Sequence, residues 1–227
     1  MAQAHSEDTK SKFFMLGIIH RDDRGAELLR EWLLNIAPEV ITLEFSNYGL
    51  TFRKERGGKY KKMLDEILNK MEGNDEHYDK EALSSLFSYI NMPYEYEVSS
   101  RYAKEHNVSL YLIDVDAFSY LNLQKAEEEL FEENNIKQLL CKSTPAGRKE
   151  KTVARLFFEK GIKLFSYTDE MHIRDKYMSN KISILMKHSM NKRFLHICGW
   201  QHLQDPYGLY APFNPVKVFS NDKAICI

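Results

Sequence analysis

A strand–helix–strand pattern near the start of the chain constrains the fold most. An apolar run over residues 13–19 predicts a buried strand, and the helical spacing of the apolar residues that follow predicts a helix through Leu34. Asp22 or Asp23 is the predicted N-cap of that helix. Residues 40–43 then form a second strand, so the unit implies parallel pairing and a right-handed crossover.

The remainder of the chain continues in the same way. Three further strands are predicted, over residues 109–115, 193–198 and 216–219. Further helices are predicted over residues 94–105, most of 120–160 with a break at 143–147, and 168–188. Residues 50–90 form a helical excursion with charged faces. The predicted fold class is therefore α/β, with a mainly parallel central sheet flanked by helices.

Length and charge narrow the class of protein. The 227 residues fit one domain over 13–227, after a polar tail over 1–12 that has no signal-peptide core and is expected to be disordered. A net charge of −1 means that the chain lacks the excess of basic residues that is typical of nucleic-acid-binding proteins. No apolar run approaches the ~20 residues of a membrane span.

Cysteine usage gives an expectation for the compartment. The three cysteines, Cys141, Cys198 and Cys226, are too widely spaced for a ribbon or knuckle metal site. Their odd number and the apolar neighbours of Cys198 and Cys226 indicate reduced thiols, so a cytoplasmic location is expected. The oligomeric state cannot be read from the sequence.

Two Gly-x-x-His motifs lie near opposite ends of the chain. Gly17-Ile18-Ile19-His20 follows the first predicted strand, and Gly199-Trp200-Gln201-His202 follows the fourth. Ligands of open α/β sheets bind outside the carboxyl ends of the strands, so we expect the two histidines to meet in one site. The structural alternative is that each motif only packs a strand end, where the glycine permits close approach.

Glu44 and Arg174 strengthen the expectation of a site. Glu44 ends the second strand, where a carboxylate is either exposed at the rim or buried and paired. Arg174 lies between Met171 and Met178 on the apolar stripe of helix 168–188. A buried guanidinium needs a carboxylate or an anion as partner, and the alternative is an arginine that snorkels at the edge of the stripe.

Other polar residues near strand ends have ordinary explanations. Asp114 and Asp116 alternate along a strand end, so at most one of them joins the site. Glu95 opens helix 94–105, where an acidic residue suits the helix dipole. His196 lies inside a strand and is expected to pack in the core.

Two chemistries suit these side chains. Two histidines and one or two carboxylates can bind a divalent metal. They can also act without metal, with a histidine-activated water that attacks an acyl carbon while Arg174 stabilises the negative charge. The spacing does not choose between them.

The order of the motifs resembles the TraB/Tiki group within the erythromycin esterase/ChaN-like superfamily. The resemblance covers roughly residues 13–219. Besides the two Gly-x-x-His motifs, it rests on Glu95-Tyr-Glu-Val-Ser99, Leu112-Ile113-Asp114-Val115-Asp116, Arg174-Asp175-x-x-Met178 and His202-Leu203 followed by Gly208-Leu209.

The resemblance implies an α/β fold with an active centre at the strand carboxyl ends. Tiki relatives are described as metal-dependent proteases that use manganese or cobalt, erythromycin esterases hydrolyse a lactone with a histidine-activated water, and ChaN-like members bind haem. By motif position the implied catalytic residues are His20, Glu44, Arg174 and His202. The implied metal ligands are His20, Glu44, Glu95 and His202.

We therefore predict a soluble, metal-assisted hydrolase of an amide or ester bond that acts on a small-molecule or peptide substrate. A non-catalytic haem-, metal- or peptide-binding protein that uses the same crevice is the first alternative. An inactive interaction scaffold is the second.

Overall fold

The computed structural model describes residues 13–73, 77–141, 147–163 and 165–221. The polar tail over 1–12, Cys226 and most of the expected helix break at 143–147 lie outside these residues. Cys141 and Cys198 are free thiols. Among the described residues, no helix combines the length and the apolar character that a membrane span requires.

Five parallel strands form one central sheet. They are β1 (Phe13–Ile18), β2 (Val40–Leu43), β3 (Ser109–Leu112), β4 (Phe194–Gly199) and β5 (Val216–Phe219). Their order across the sheet is β3-β2-β4-β1-β5, and each neighbouring pair is parallel. The predicted parallel α/β fold class is confirmed, and β1, β2 and β4 lie side by side in the middle of the sheet.

Eight α-helices lie among the described residues. They are α1 (Gly25–Ile36), α2 (Asn47–Gly73), α3 (Lys80–Ile90), α4 (Tyr94–Glu105), α5 (Asp116–Glu129), α6 (Glu133–Cys141), α7 (Gly147–Lys160) and α8 (Asp169–His188). A short 3-10 helix, Trp200–Gln204, follows β4 directly, and a second one covers Ala211–Phe213.

Apolar residues cover both faces of the sheet. Leu29 and Trp32 of α1 pack with Tyr102 of α4 against one face. Met178 and Ile182 of α8 pack against the other face. Burial on both sides explains why β1 and β4 are apolar along nearly their whole length.

The helical excursion has its own hydrophobic cluster. Side chains of α2, α3, α5 and α6 pack together, among them Tyr60, Leu64, Leu86, Leu123 and Ile136. This cluster is separate from those on the sheet. It holds α3 in place as one wall of the cleft described below.

Two local predictions are wrong. The N-cap of α1 is Arg24, whose side chain makes no capping bond, because Asp22 instead accepts a hydrogen bond from the Arg24 backbone N–H (3.1 Å) in the turn before the helix. β3 ends at Leu112 rather than at residue 115, because its partner β2 ends at Leu43, the residue opposite Leu112.

Candidate functional site

The carboxyl ends of the three central strands bring the predicted residues together. His20 follows β1, Glu44 follows β2, and His202 lies in the 3-10 helix after β4. The point where a Cβ on Gly199 would stand is 2.9 Å from His20 Nε2, 3.6 Å from Glu44 Oε2 and 3.6 Å from His202 Cδ2. The expected meeting of the two motifs is confirmed.

Glu44 is buried and is held by three nitrogen atoms. Its Oε1 accepts from Arg174 Nη2 (2.5 Å) and forms an ion pair with His202 Nε2 (3.0 Å), and its Oε2 accepts from the Gly199 backbone N–H (2.7 Å). Burial acts to raise the pKa of Glu44, but the charges of His202 and Arg174 outweigh it and hold the pKa well below its usual value. Glu44 is therefore an ionised, fixed carboxylate.

Arg174 has the carboxylate partners that its place on a core stripe predicts. Besides Glu44 it contacts Asp114, through Nε to Oδ1 (3.0 Å) and Nη2 to Oδ2 (2.8 Å). Asp116 lies elsewhere and accepts from the Tyr48 backbone N–H (2.8 Å), so only one of the two aspartates joins the site, as expected. Arg174 thus clamps Glu44 to Asp114, and its Nη1 makes no hydrogen bond within the described part of the chain.

His202 is a buried link between two carboxylates. Its Nδ1 donates to Asp175 Oδ1 (2.6 Å), and its Nε2 forms an ion pair with Glu44 Oε1 (3.0 Å). Asp175 also accepts from the hydroxyls of Tyr210 (2.9 Å) and Tyr167. Burial lowers the pKa of His202, but Glu44 and Asp175 outweigh burial and raise the pKa to about 10.

Asp175 is a site residue to which the sequence reasoning gave no role. It is fully buried on α8, four residues after Met171 and three before Met178. That spacing places it on the apolar stripe more squarely than Arg174. A charged residue at a stripe position was therefore the signal that could have found it.

His20 faces the cleft and is held by a buried carboxylate. Its Nδ1 bonds to Glu95 Oε1 (2.8 Å), and its side chain is 41% exposed whereas that of Glu95 is buried. Partial desolvation lowers the pKa of His20, but the hydrogen bond and charge of Glu95, with the charge of Glu44, raise it to about 9. Glu95 orients His20, which leaves Nε2 directed away from Glu95.

The glycines of the two motifs have different reasons to be glycine. A Cβ on Gly17 would stand 2.8 Å from the Trp200 Cα and 2.5 Å from a methyl carbon of Leu203, which confirms close packing at that strand end. Gly199 has φ −55° and ψ 137°, which any residue can adopt. Its missing side chain leaves space between His20 and Glu44.

A cleft of about 500 Å³ opens over this space. His20, Glu44, Glu95 and Arg174 lie on its sheet side. Opposite them, α3 and the turn into α4 contribute a mixed polar and apolar wall that consists of Ser84, Phe87, Ser88, Asn91, Met92, Pro93 and Tyr94. The Tyr94 hydroxyl donates to the Ile19 carbonyl (2.9 Å) and so ties α4 to the first motif.

The donor set does not fit a divalent metal as it is arranged. Both nitrogens of His202 are bonded to carboxylates, and an imidazole whose pKa is about 10 keeps no lone pair for a metal at neutral pH. Glu44 Oε1 is occupied by Arg174 and His202. No group of three or more His, Cys, Asp or Glu side chains suited to a metal occurs within the ranges that the structure covers. The predicted metal-ligand roles of His20, Glu44, Glu95 and His202 stay predictions.

His196 is a core residue, as predicted. It is fully buried on β4, and its Nδ1 lies 3.1 Å from the Thr42 hydroxyl. Burial lowers the pKa of His196 to about 4, so this histidine is neutral.

The chain was compared with family models, curated proteins and solved structures. None of the three comparisons gives a match. The resemblance to the TraB/Tiki group therefore stays a prediction.

Proposed function

We propose that the protein hydrolyses an amide or ester bond with a water molecule that His20 activates without a metal. One observation carries the proposal: the His20–Glu95 pair brings Nε2 to the space beside Gly199 that Glu44 Oε2 also borders. A carboxylate on Nδ1 fixes the tautomer in which Nε2 is the base.

The proposed reaction begins with one proton transfer, which is coupled to the attack of water on the acyl carbon. Neutral His20 accepts a proton from water at Nε2 while the water oxygen bonds to the acyl carbon. Glu95 stabilises the resulting imidazolium through Nδ1. The tetrahedral intermediate then collapses, and the Nε2 proton passes to the leaving nitrogen or oxygen.

The neighbouring charges orient the reactants. Glu44 Oε2 has one bond, from Gly199, and can accept a second one from the attacking water. Arg174 Nη1 is the donor that remains for the oxyanion, because its Nε and Nη2 are held by Asp114 and Glu44. His202 holds Glu44 in place and does not touch the reacting atoms.

Replacing Gly199 with alanine is expected to lower kcat/KM about a hundredfold, because the added Cβ displaces His20 Nε2 from the water site. Backbone strain is not the cause, since the φ and ψ of Gly199 suit alanine. Kinetics and thermal unfolding of Gly199→Ala and Gly17→Ala separate the two motif glycines. Gly17→Ala is expected mainly to destabilise the fold, by about 1–3 kcal/mol, through overpacking. Full activity in Gly199→Ala would contradict the water site.

The pH dependence of hydrolysis separates this mechanism from a metal-based one. Only neutral His20 is a base, and its pKa is about 9, so kcat/KM should rise about tenfold per pH unit up to pH 9 and then level off. A metal-bound water would give a plateau near its own pKa of about 7. The measurement uses a panel of aryl esters and peptide anilides, with and without EDTA. Loss of activity in EDTA that Mn²⁺ restores would overturn the metal-free mechanism.

The second candidate is a binding protein that uses the same cleft. One observation favours it: His20 lines the cleft next to Arg21, and because Glu95 helps to raise its pKa to about 9 it is a cation at neutral pH, which suits an anionic ligand better than haem iron or a metal ion. This candidate would be supported if none of the esters and anilides is hydrolysed and an anionic ligand raises the melting temperature of the protein.

A further inference from the structure

Arg53 is a cleft cation without a carboxylate partner. It lies on α2 and donates to three backbone carbonyls, from Nε to Asn91, from Nη1 to Gly49 and from Nη2 to Ser88, each at 3.1 Å. No ion pair involves it among the described residues. Burial lowers the pKa of Arg53, and the more distant charge of Glu95 opposes that effect only in part.

Arg21, the residue after His20, is a second such cation. Its Nη1 donates to the Ser85 hydroxyl (2.8 Å), and no carboxylate pairs with it in the part of the chain that is described. Ser85 and Ser88 are three residues apart on α3 and therefore lie on the same side of that helix. Arg21 and Arg53 thus approach the same side of α3, and both line the cleft.

The deeper cations of the cleft are balanced by carboxylates. Arg174 contacts Glu44 and Asp114, and His20 contacts Glu95. Among the described residues, the cleft cations without a carboxylate partner therefore lie along the α3 wall. A guanidinium has five N–H donors, so Arg53 retains two after its three bonds and Arg21 retains four.

Two aspartates also border the cleft. Asp22 is buried in the turn before α1, where it accepts from the Arg24 backbone N–H and the Asn221 amide. Asp23 is exposed at the mouth. Among the described residues no ion pair joins either aspartate to Arg21 or Arg53, so these two carboxylates do not occupy the remaining donors of the arginines.

We propose that the substrate carries a carboxylate, bound by Arg21 and Arg53 against α3, while its acyl carbon lies at the water site beside Gly199. This inference rests on the proposed hydrolase function and names its substrate class. The arginine fork matches a carboxylate in geometry and in charge.

Matched esters test the preference. The 4-nitrophenyl half-esters of C5 to C8 dicarboxylic acids are compared with the esters of monocarboxylic acids of the same chain length. Wild type is expected to have at least about tenfold higher kcat/KM for the best half-ester, as a hydrogen bond to a charged group implies. Arg21→Gln should remove about tenfold of that preference, chiefly through KM.

Two variants serve as controls for the mouth of the cleft. Arg24→Gln removes an exposed arginine that pairs with Glu27 outside the cleft, and it should leave the preference unchanged. Asp23→Asn removes a negative charge at the mouth and should strengthen the preference. Equal kcat/KM for the two ester series, or a preference that survives Arg21→Gln, would overturn the inference.

A binding measurement separates this inference from the proposed function. Calorimetric titration with free adipate should show binding to wild type and at least about tenfold weaker binding to Arg21→Gln. Arg21-dependent adipate binding without hydrolysis of any ester would refute the hydrolase but keep the carboxylate site. Hydrolysis without adipate binding or half-ester preference would keep the hydrolase and refute the carboxylate site.

Discussion

Replacing His20 with asparagine is expected to lower kcat/KM by about 10²- to 10⁴-fold, because the variant loses the base that accepts the proton of the attacking water. Asparagine keeps a polar atom at the position of Nδ1 but has no basic nitrogen that could take up the proton. His77→Asn is the matched control, since His77 is exposed and lies outside the cleft. The measurement is initial-rate kinetics on the best substrate of the panel.

The supporting carboxylate gives a second readout of the same role. Glu95→Gln removes the partner that raises the pKa of His20, so the rising limb of the pH–rate profile should move to lower pH while activity falls. A structural role for Glu95 would leave that limb where it is. Wild-type rates in His20→Asn would sink the proposed mechanism.

The second large effect concerns stability. Asp175→Ala is expected to lower the free energy of unfolding by about 3–5 kcal/mol. The variant removes the carboxylate that pairs with the buried His202 charge and accepts hydrogen bonds from two tyrosine hydroxyls. Asp169→Ala, at the exposed start of the same helix, should cost about 1 kcal/mol or less. Urea unfolding of both variants checks this, and similar midpoints for the two would contradict the role of Asp175.

This destabilisation should depend on pH. The pKa of His202 is raised in the folded protein, so the stability gained from its pairing is fully present below the unfolded pKa of about 6.5. It declines as the pH rises toward about 10, where folded His202 loses its proton. The difference between wild type and Asp175→Ala should therefore be larger at pH 6 than at pH 9.

The carboxyl ends of β1, β2 and β4 show what the chain pattern can predict. Strand runs, helix periodicity and the residue after each strand were sufficient to place His20, Glu44 and His202 at one sheet edge, because parallel strands align their carboxyl ends. The partners of these residues were harder to predict from the sequence. Glu95 had a sufficient local explanation as a first-turn acid, and only the packing of α4 against α1, β2 and β3 brought it to His20.

The roles of the residues depended on contacts that no spacing encodes. His202 was predicted as a ligand or water activator, yet both its nitrogens are bonded to buried carboxylates from β2 and α8. Arg174 was predicted to stabilise an anion, and most of its donors instead hold Glu44 and Asp114. The pairing of a charge is a tertiary property, since its partners lie 60 and 130 residues away along the chain.

The sequence by itself determined the parallel α/β architecture and the sheet edge at which the candidate site lies, because apolar periodicity is local along the chain and parallel strands align their carboxyl ends. Only the tertiary structure decided which histidine remains open to the cleft and which is locked. The physical reason is burial: removing His202 and Asp175 from water forces them to pair, whereas the partial exposure of His20 leaves its Nε2 within reach of a ligand.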